Sequence, residues 1–188
     1  MNAQVRIQRM LSQSLDVIIH PSDGTFRYYG PRASDSDTLT YVAAAAFVLA
    51  LIGNLILGGG DVIGLLLSVI NMLFQFYLFA GVMYFVGRQL GGMGEFPVVT
   101  YTFSLFYVPF MLLSWGVPFV VLWLGVSIVL LWVLPLAFLL VQAFYAYLAI
   151  QAAMYFKRRS SAVWTVIAGL VALWVIQQVF RQMTFASL

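Results

Sequence analysis

The chain of 188 residues contains no cysteine and a single histidine, His20. Disulfides, thiolate metal sites and thiol nucleophiles are excluded at once. A histidine metal centre goes with them, because His20 has no carboxylate pair at ligand spacing. Charge is equally scarce. Only 8% of residues are Asp, Glu, Lys or Arg, against roughly 25% in an average soluble domain, and the deficit is concentrated rather than spread evenly. No Asp, Glu, Lys, Arg or His occurs from Phe96 to Phe156, from Val62 to Gly87 or from Ser160 to Phe180. Proton relays, voltage sensors and many ion-coupled transporters need an ionisable group at membrane depth, and these stretches supply none. An intramembrane hydrolase needs a nucleophile beside a base, yet Ser68, Ser104, Ser114 and Ser127 have no His, Lys or Asp among them. The expectation is a protein that is not an enzyme and that carries no cofactor or metal.

What remains is apolar. With 63% hydrophobic and 16% aromatic residues, a water-soluble fold would have nothing to cover itself with, so the solvent of these stretches is lipid. About 20 residues rising 1.5 Å each cross a hydrocarbon core of about 30 Å. The sequence therefore predicts an all-α, polytopic transmembrane helix bundle of about five spans, at 39–57, 62–86, 97–115, 134–156 and 163–180. Gly58-Gly59-Gly60-Asp61 reads as a tight turn, Arg88–Glu95 as a glycine-rich loop, and Pro97 as a first-turn proline. The uncharged run that follows is punctuated by Pro109, Gly116, Pro118 and Pro135, which read as kinks, and it fits either two long broken helices or three short ones.

Charge placement decides the count. Positive residues prefer the cytoplasmic side of a membrane, and five spans place eight of the nine basic residues there, leaving Arg181 outside. Six spans would put Lys157-Arg158-Arg159 outside. Residues 117–133 then extend a helix, or lie tilted or re-entrant. Trp115, Trp123, Trp132 and Trp164 fit interfacial anchors. The expected setting is a prokaryotic plasma (inner) membrane with a cytoplasmic N-terminus.

Residues 1–38 read as a cytoplasmic amphipathic helix and a linker. Ile7, Met10, Leu11, Leu15, Ile18 and Ile19 recur at helical spacing, with Arg6, Arg9, Gln13 and Asp16 mostly elsewhere on the wheel. Such a helix either rests in the headgroup layer or packs on the bundle's own face. His20 to Gly24 ends it, and the linker runs to Thr38. Asp16 interrupts the only apolar stretch of this region, so no cleavable signal peptide is expected and the mature chain should begin near Met1.

Few side chains carry candidate function. Asn54, Asn71, Gln75 and Gln142 are polar groups within spans. Asn71 and Gln75 share a helix face, suited to inter-helix hydrogen bonds or to a polar path. Gly87–Gly94 lacks the lysine of a phosphate loop and reads as a turn. Arg6, Arg9, Arg88, Lys157, Arg158 and Arg159 are candidate contacts for lipid headgroups or a partner protein, each of the triplet attracting anionic lipid by about 1 kcal/mol.

Three places carry a resemblance: the segment before the first span, which opens on Pro21 and Phe26, the glycine loop, and the start of the third span. Tyr29-Gly30-Pro31 precedes the first span, and Leu90-Gly91-Gly92-Met93-Gly94-Glu95-Phe96 is followed by Tyr101, Ser104, Tyr107, Val108 and Pro109. In this order they resemble the Yip-one (Ypt-interacting protein) domain family of five-span membrane proteins, echoing its Tyr-Gly-Pro and Gly-Gly-x-Gly-x-Phe patterns. Arg27-Tyr28 stands where the family has an acidic residue, Leu113–Pro135 is longer than the eukaryotic pattern, and a long N-terminal region is missing, so the chain looks like a short prokaryotic member. The resemblance implies a non-enzymatic scaffold with a membrane-organising or trafficking role through its cytoplasmic face. For eukaryotic relatives it implies binding of prenylated GTPases. The expected partners are membrane lipids, a cytoplasmic or membrane protein, or further copies of the chain, and no nucleic acid. The competing reading is a small transporter or channel for a neutral or weakly polar solute passing Asn54, Asn71, Gln75 and Gln142.

Overall fold

Apolar segments surrounded by lipid must satisfy their backbone groups internally, which favours helices, and every regular element among the described residues is helical. The computed structural model describes residues 2–57, 61–123 and 128–186, with side chains at all of these except 57, 115, 118–132 and 177–186. The elements are α1 (Ala3–Ile19), α2 (Asp23–Tyr29), a 3₁₀ turn (Gly30–Arg32), α3 (Asp35–Leu57), α4 (Val62–Gln89), α5 (Phe96–Trp123), α6 (Ile128–Ala153) and α7 (Arg159–Ala186). Helices α3 to α7 are the five that are long and apolar enough to cross a membrane. The chain is an all-α, five-span, multi-pass membrane bundle.

Local chemistry sets the helix ends. The Asp61 carboxylate accepts the Ile63 amide at 3.0 Å and starts α4. Asp35 and Asp37 sit in the first turn of α3, where carboxylates favour the positive end of the helix dipole. Helix α5 runs through Pro109 and Pro118 to Trp123, and α6 begins at Ile128 and runs through Pro135. The described part of 117–133 thus extends the helices on either side of it. Residues 124–127 and the expected glycine turn at 58–60 lie outside the described residues, as do the side chains of Trp115, Trp123 and Trp132. Trp164 is exposed in the first turns of α7.

Successive spans alternate in direction, so the starts of α3, α5 and α7 share one end of the bundle with the ends of α4 and α6. All charged residues but Asp61 and Arg181 belong to this basic end or to the segment leading into it. Helix α5 is the hub. Of its most apolar window 61% is buried, against 6% for α4, which is therefore the most lipid-facing span. Around α5, Phe103, Phe106, Phe76 and Tyr145 form the aromatic core, with Phe106 and Tyr145 ring centroids 6.1 Å apart.

The stretch 20–38, expected as a linker, holds a short helix and a 3₁₀ turn. Ser22 caps α2 by accepting the Thr25 amide at 3.0 Å, and Phe26 and Tyr29, three residues apart, bury their rings against the bundle. Helix α1 also sits differently from its apolar stripe. Its buried residues are Met10, Gln13, Ser14 and Val17, while Leu11, Leu15 and Ile19 are exposed. Tyrosine hydroxyls of the spans decide this orientation. Tyr101 donates to Gln13 Oε1 at 2.5 Å, and Ser14 Oγ and Tyr41 Oη lie 2.9 Å apart.

Candidate functional site

Helix α1 crosses the first turns of α3 and α5 and reaches α6, where Tyr145 donates its hydroxyl to the Ile18 carbonyl at 2.9 Å. Its arginines face the protein. Arg9 Nη2 is bonded to Asp37 Oδ2, and Arg6 Nε lies 3.6 Å from Asp37 Oδ1, with the Asp37 side chain only 6% exposed. Arg6 and Arg9, read from sequence as lipid or partner contacts, thus latch α1 onto the start of α3. Buried charge needs such pairing, and the sequence signal was Asp37, an acid just ahead of the first apolar span.

A second tie runs between α1 and α2. Tyr29 donates to Asp16 Oδ2 at 2.7 Å, and His20 Nδ1 stands 3.0 Å from Asp16 Oδ1. These two hydrogen bonds, that from Tyr29 first, hold the Asp16 carboxyl below its ordinary pKa. Burial, then the bond to Asp16, pushes Tyr29 up to about 12. Next along the chain, Gly30 is buried, and a Cβ there would meet Val98 of α5 at 3.4 Å. Pro31 is exposed in the 3₁₀ turn.

The glycine loop is a seat for the end of α6. Gly91 turns the chain at φ 87°, a region open to glycine. Gly92 donates its amide to the Gly87 carbonyl and Met93 to the Met154 carbonyl, both at 2.9 Å. A Cβ at Gly94 would lie 2.0 Å from the Ala153 carbonyl oxygen, so only glycine allows this approach. Phe96 packs its ring edge against Tyr84, 5.5 Å between centroids. The two motif segments therefore meet around the start of α5, through Gly30 on Val98 and through the loop that leads into Phe96.

On this seat the exposed groups are mixed. Met93 is 63% exposed and Tyr155 48%, with Leu90 exposed beside them. The adjoining cations Lys157, Arg158 and Arg159 are exposed and make no ion pair among the described residues. Arg88 is exposed and donates to the Gly92 carbonyl at 3.4 Å, its one partner among the described residues.

The polar residues within the spans divide. Asn71 and Gln75 line one cavity between α4 and α5, with Ser68, Met72, Tyr107 and Met111. Asn54 in α3 and Gln142 in α6 are half-buried and do not line it. Pro109 is half-buried within α5. Of the serines weighed as nucleophiles, Ser68 bonds to Gly64, Ser104 to Tyr101 and Ser114 to Met111, each within its own helix, at 2.9, 2.7 and 2.9 Å. Ser127 lies outside the described residues. Comparison with protein-family models, with curated proteins and with solved structures finds no match for this chain.

Proposed function

We propose that this protein is a non-enzymatic membrane scaffold of the Yip-one type, whose basic end faces the cytoplasm of a prokaryotic plasma membrane and gathers anionic lipid headgroups. The observation that carries the reading is the unpaired basic triplet Lys157-Arg158-Arg159, exposed next to apolar Met93 and Tyr155 on a backbone-bonded platform. Cations at this level hold anionic headgroups, and the apolar side chains between them suit the acyl boundary just below. The exposed stripe Leu11, Leu15 and Ile19 on α1 gives the same end a second apolar edge, so α1 packs on the bundle by one face and rests in lipid by the other. A non-enzymatic role is supported by Ser68, Ser104 and Ser114, each of which donates its hydroxyl to a carbonyl of its own helix.

The test is the lipid shell itself. The full chain is extracted with its surrounding lipid in polymer discs, and the ratio of anionic to zwitterionic lipid is measured for the native protein and for Lys157, Arg158 and Arg159 all replaced by Ala. At about 1 kcal/mol for each cation, the native shell should be clearly enriched in anionic lipid, with the enrichment falling at high salt and lost in the variant. Equal shells would sink the proposal.

A further inference from the structure

Ser68, Asn71, Met72 and Gln75 of α4 fall at i, i+3, i+4 and i+7 and share one face. Facing them are Tyr107 and Met111, four residues apart on α5, and together these side chains line a cavity of about 320 Å³. Asn71 is nine residues along from Val62, which places it roughly 14 Å down the helix and near the middle of a hydrocarbon core about 30 Å thick.

At that depth a polar side chain has no water to turn to. Asn71 and Gln75 are exposed and have no hydrogen-bond partner among the described residues. Ser68 donates to the Gly64 carbonyl and keeps its lone pairs for accepting. The Tyr107 ring is held by Phe76 and Phe79, at 5.2 and 5.9 Å between centroids, and its hydroxyl has no partner among the described residues. The cavity thus presents two amides, two hydroxyls and two thioethers, with donors and acceptors but no charge.

We infer that this cavity binds the polar head of an uncharged amphiphile of the acylglycerol type, taken sideways from the bilayer. Neutrality follows from the helices, because Val62–Gly87 and Phe96–Phe156 hold no acid or base to balance a charged head. Sideways access follows from the neighbours, because Leu67, Ile70 and Phe74 flank the polar face and are 60%, 60% and 51% exposed on the surface that lipid covers. The size admits a head alone, since 320 Å³ is near the lower limit of small-molecule pockets, roughly 300–1,000 Å³, so the acyl chain stays among the lipids. Met72 and Met111 give the site an adaptable wall. The site is separate from the basic end and stands whether or not that end gathers anionic lipid.

The experiment uses the full chain in phosphatidylcholine nanodiscs and a monoacylglycerol bearing a photoactivatable diazirine. Labelling should fall on peptides of α4 and α5, and be displaced by excess unlabelled monoacylglycerol but not by a lysophosphatidylglycerol of equal chain length. Asn71→Leu and Gln75→Leu should each lower the displaceable labelling about fivefold. Tyr107→Phe, which keeps the ring and its packing, should lower it in the same direction, and Asn54→Leu should leave it unchanged. The inference is overturned by labelling that all variants share, or by equal competition from the charged lysolipid. It is also overturned if Asn71→Leu leaves labelling intact while abolishing a cross-linkable dimer, which would assign the amides to a second copy of the chain.

Discussion

Adding one methyl group at each of three glycines should give three different results. A Cβ at Gly94 would stand 2.0 Å from the Ala153 carbonyl oxygen and 2.8 Å from the Ala153 carbonyl carbon. These are backbone atoms, so the loop must retreat by roughly 1.5 Å to reach an ordinary separation of about 3.5 Å. The retreat breaks the 2.9 Å bond from the Met93 amide to the Met154 carbonyl, beside a fully buried Met154 side chain. Stranding a buried carbonyl costs about 1–3 kcal/mol, and partial unpacking of Met154 adds about 1 kcal/mol. Gly94→Ala should therefore lose about 3 kcal/mol, more than a hundredfold in the folded population. At Gly91 the space is open but φ is 87°, so Ala there should cost only the backbone strain, about 1–2 kcal/mol. Gly81 lies inside α4 with nothing within 4 Å, and Ala there should stabilise by roughly 0.5–1 kcal/mol. Equilibrium unfolding in mixed micelles measures the three values, and hydrogen exchange of residues 90–96 reports whether the Met93 amide loses protection. Native stability and native protection in Gly94→Ala would refute the seating of the loop on α6, and a destabilising Gly81→Ala would refute the steric reasoning.

Asp37→Asn removes the carboxylate shared by Arg6 and Arg9. Because the arginine side chains are 27% and 41% exposed, the loss should be about 1–2 kcal/mol rather than that of a fully buried pair, seen as about tenfold faster hydrogen exchange across α1, and unchanged exchange would remove the latch from the account. The Asp16–Tyr29 tie should respond to pH at both extremes. Asp16 has a lowered native pKa, so the tie is complete above the ordinary aspartate value of about 3.9 and fades as pH falls through the native one. Tyr29 is raised to about 12, so the tie is complete below the ordinary tyrosine value of about 10 and is lost as pH approaches 12. A spin label at Tyr28→Cys should gain mobility at both ends of the range, and Tyr29→Phe should flatten that response. For sidedness, single cysteines at Ser12, Met93 and Ser160 should resist an impermeant thiol reagent in intact cells while those at Gly60 and Ser187 react. Gly92 is unsuited to such a label, because a Cβ there would meet Met154 Cε at 2.7 Å. Labelling at position 160 from outside would overturn the cytoplasmic basic end.

Much of the architecture was legible because lipid leaves the backbone so little choice. Runs of twenty or more uncharged residues must become helices, and the starts at Val62 and Phe96 follow from Asp61 and Pro97. The basic end followed from where the charges stand. The faces of the helices were not legible in the same way, because a span that is apolar all round carries no periodic signal for what it packs against, and lipid is as apolar as a protein core. Only the tertiary structure put Asn71 and Gln75 opposite Tyr107 while leaving Asn54 and Gln142 away from the cavity. It alone turned Gln13 and Ser14 inward, against the apolar stripe of α1, since their partners Tyr101 and Tyr41 lie 88 and 27 residues away in the chain. The helix at Asp23–Tyr29 left local signs in Ser22 and in the spacing of Phe26 and Tyr29, but seven residues hold a helix only when a neighbour buries one face. Composition determined the solvent, and the placement of charge along the chain gave the number of crossings. Rotation and docking of each helix were decided by hydrogen bonds and close contacts between residues distant in sequence.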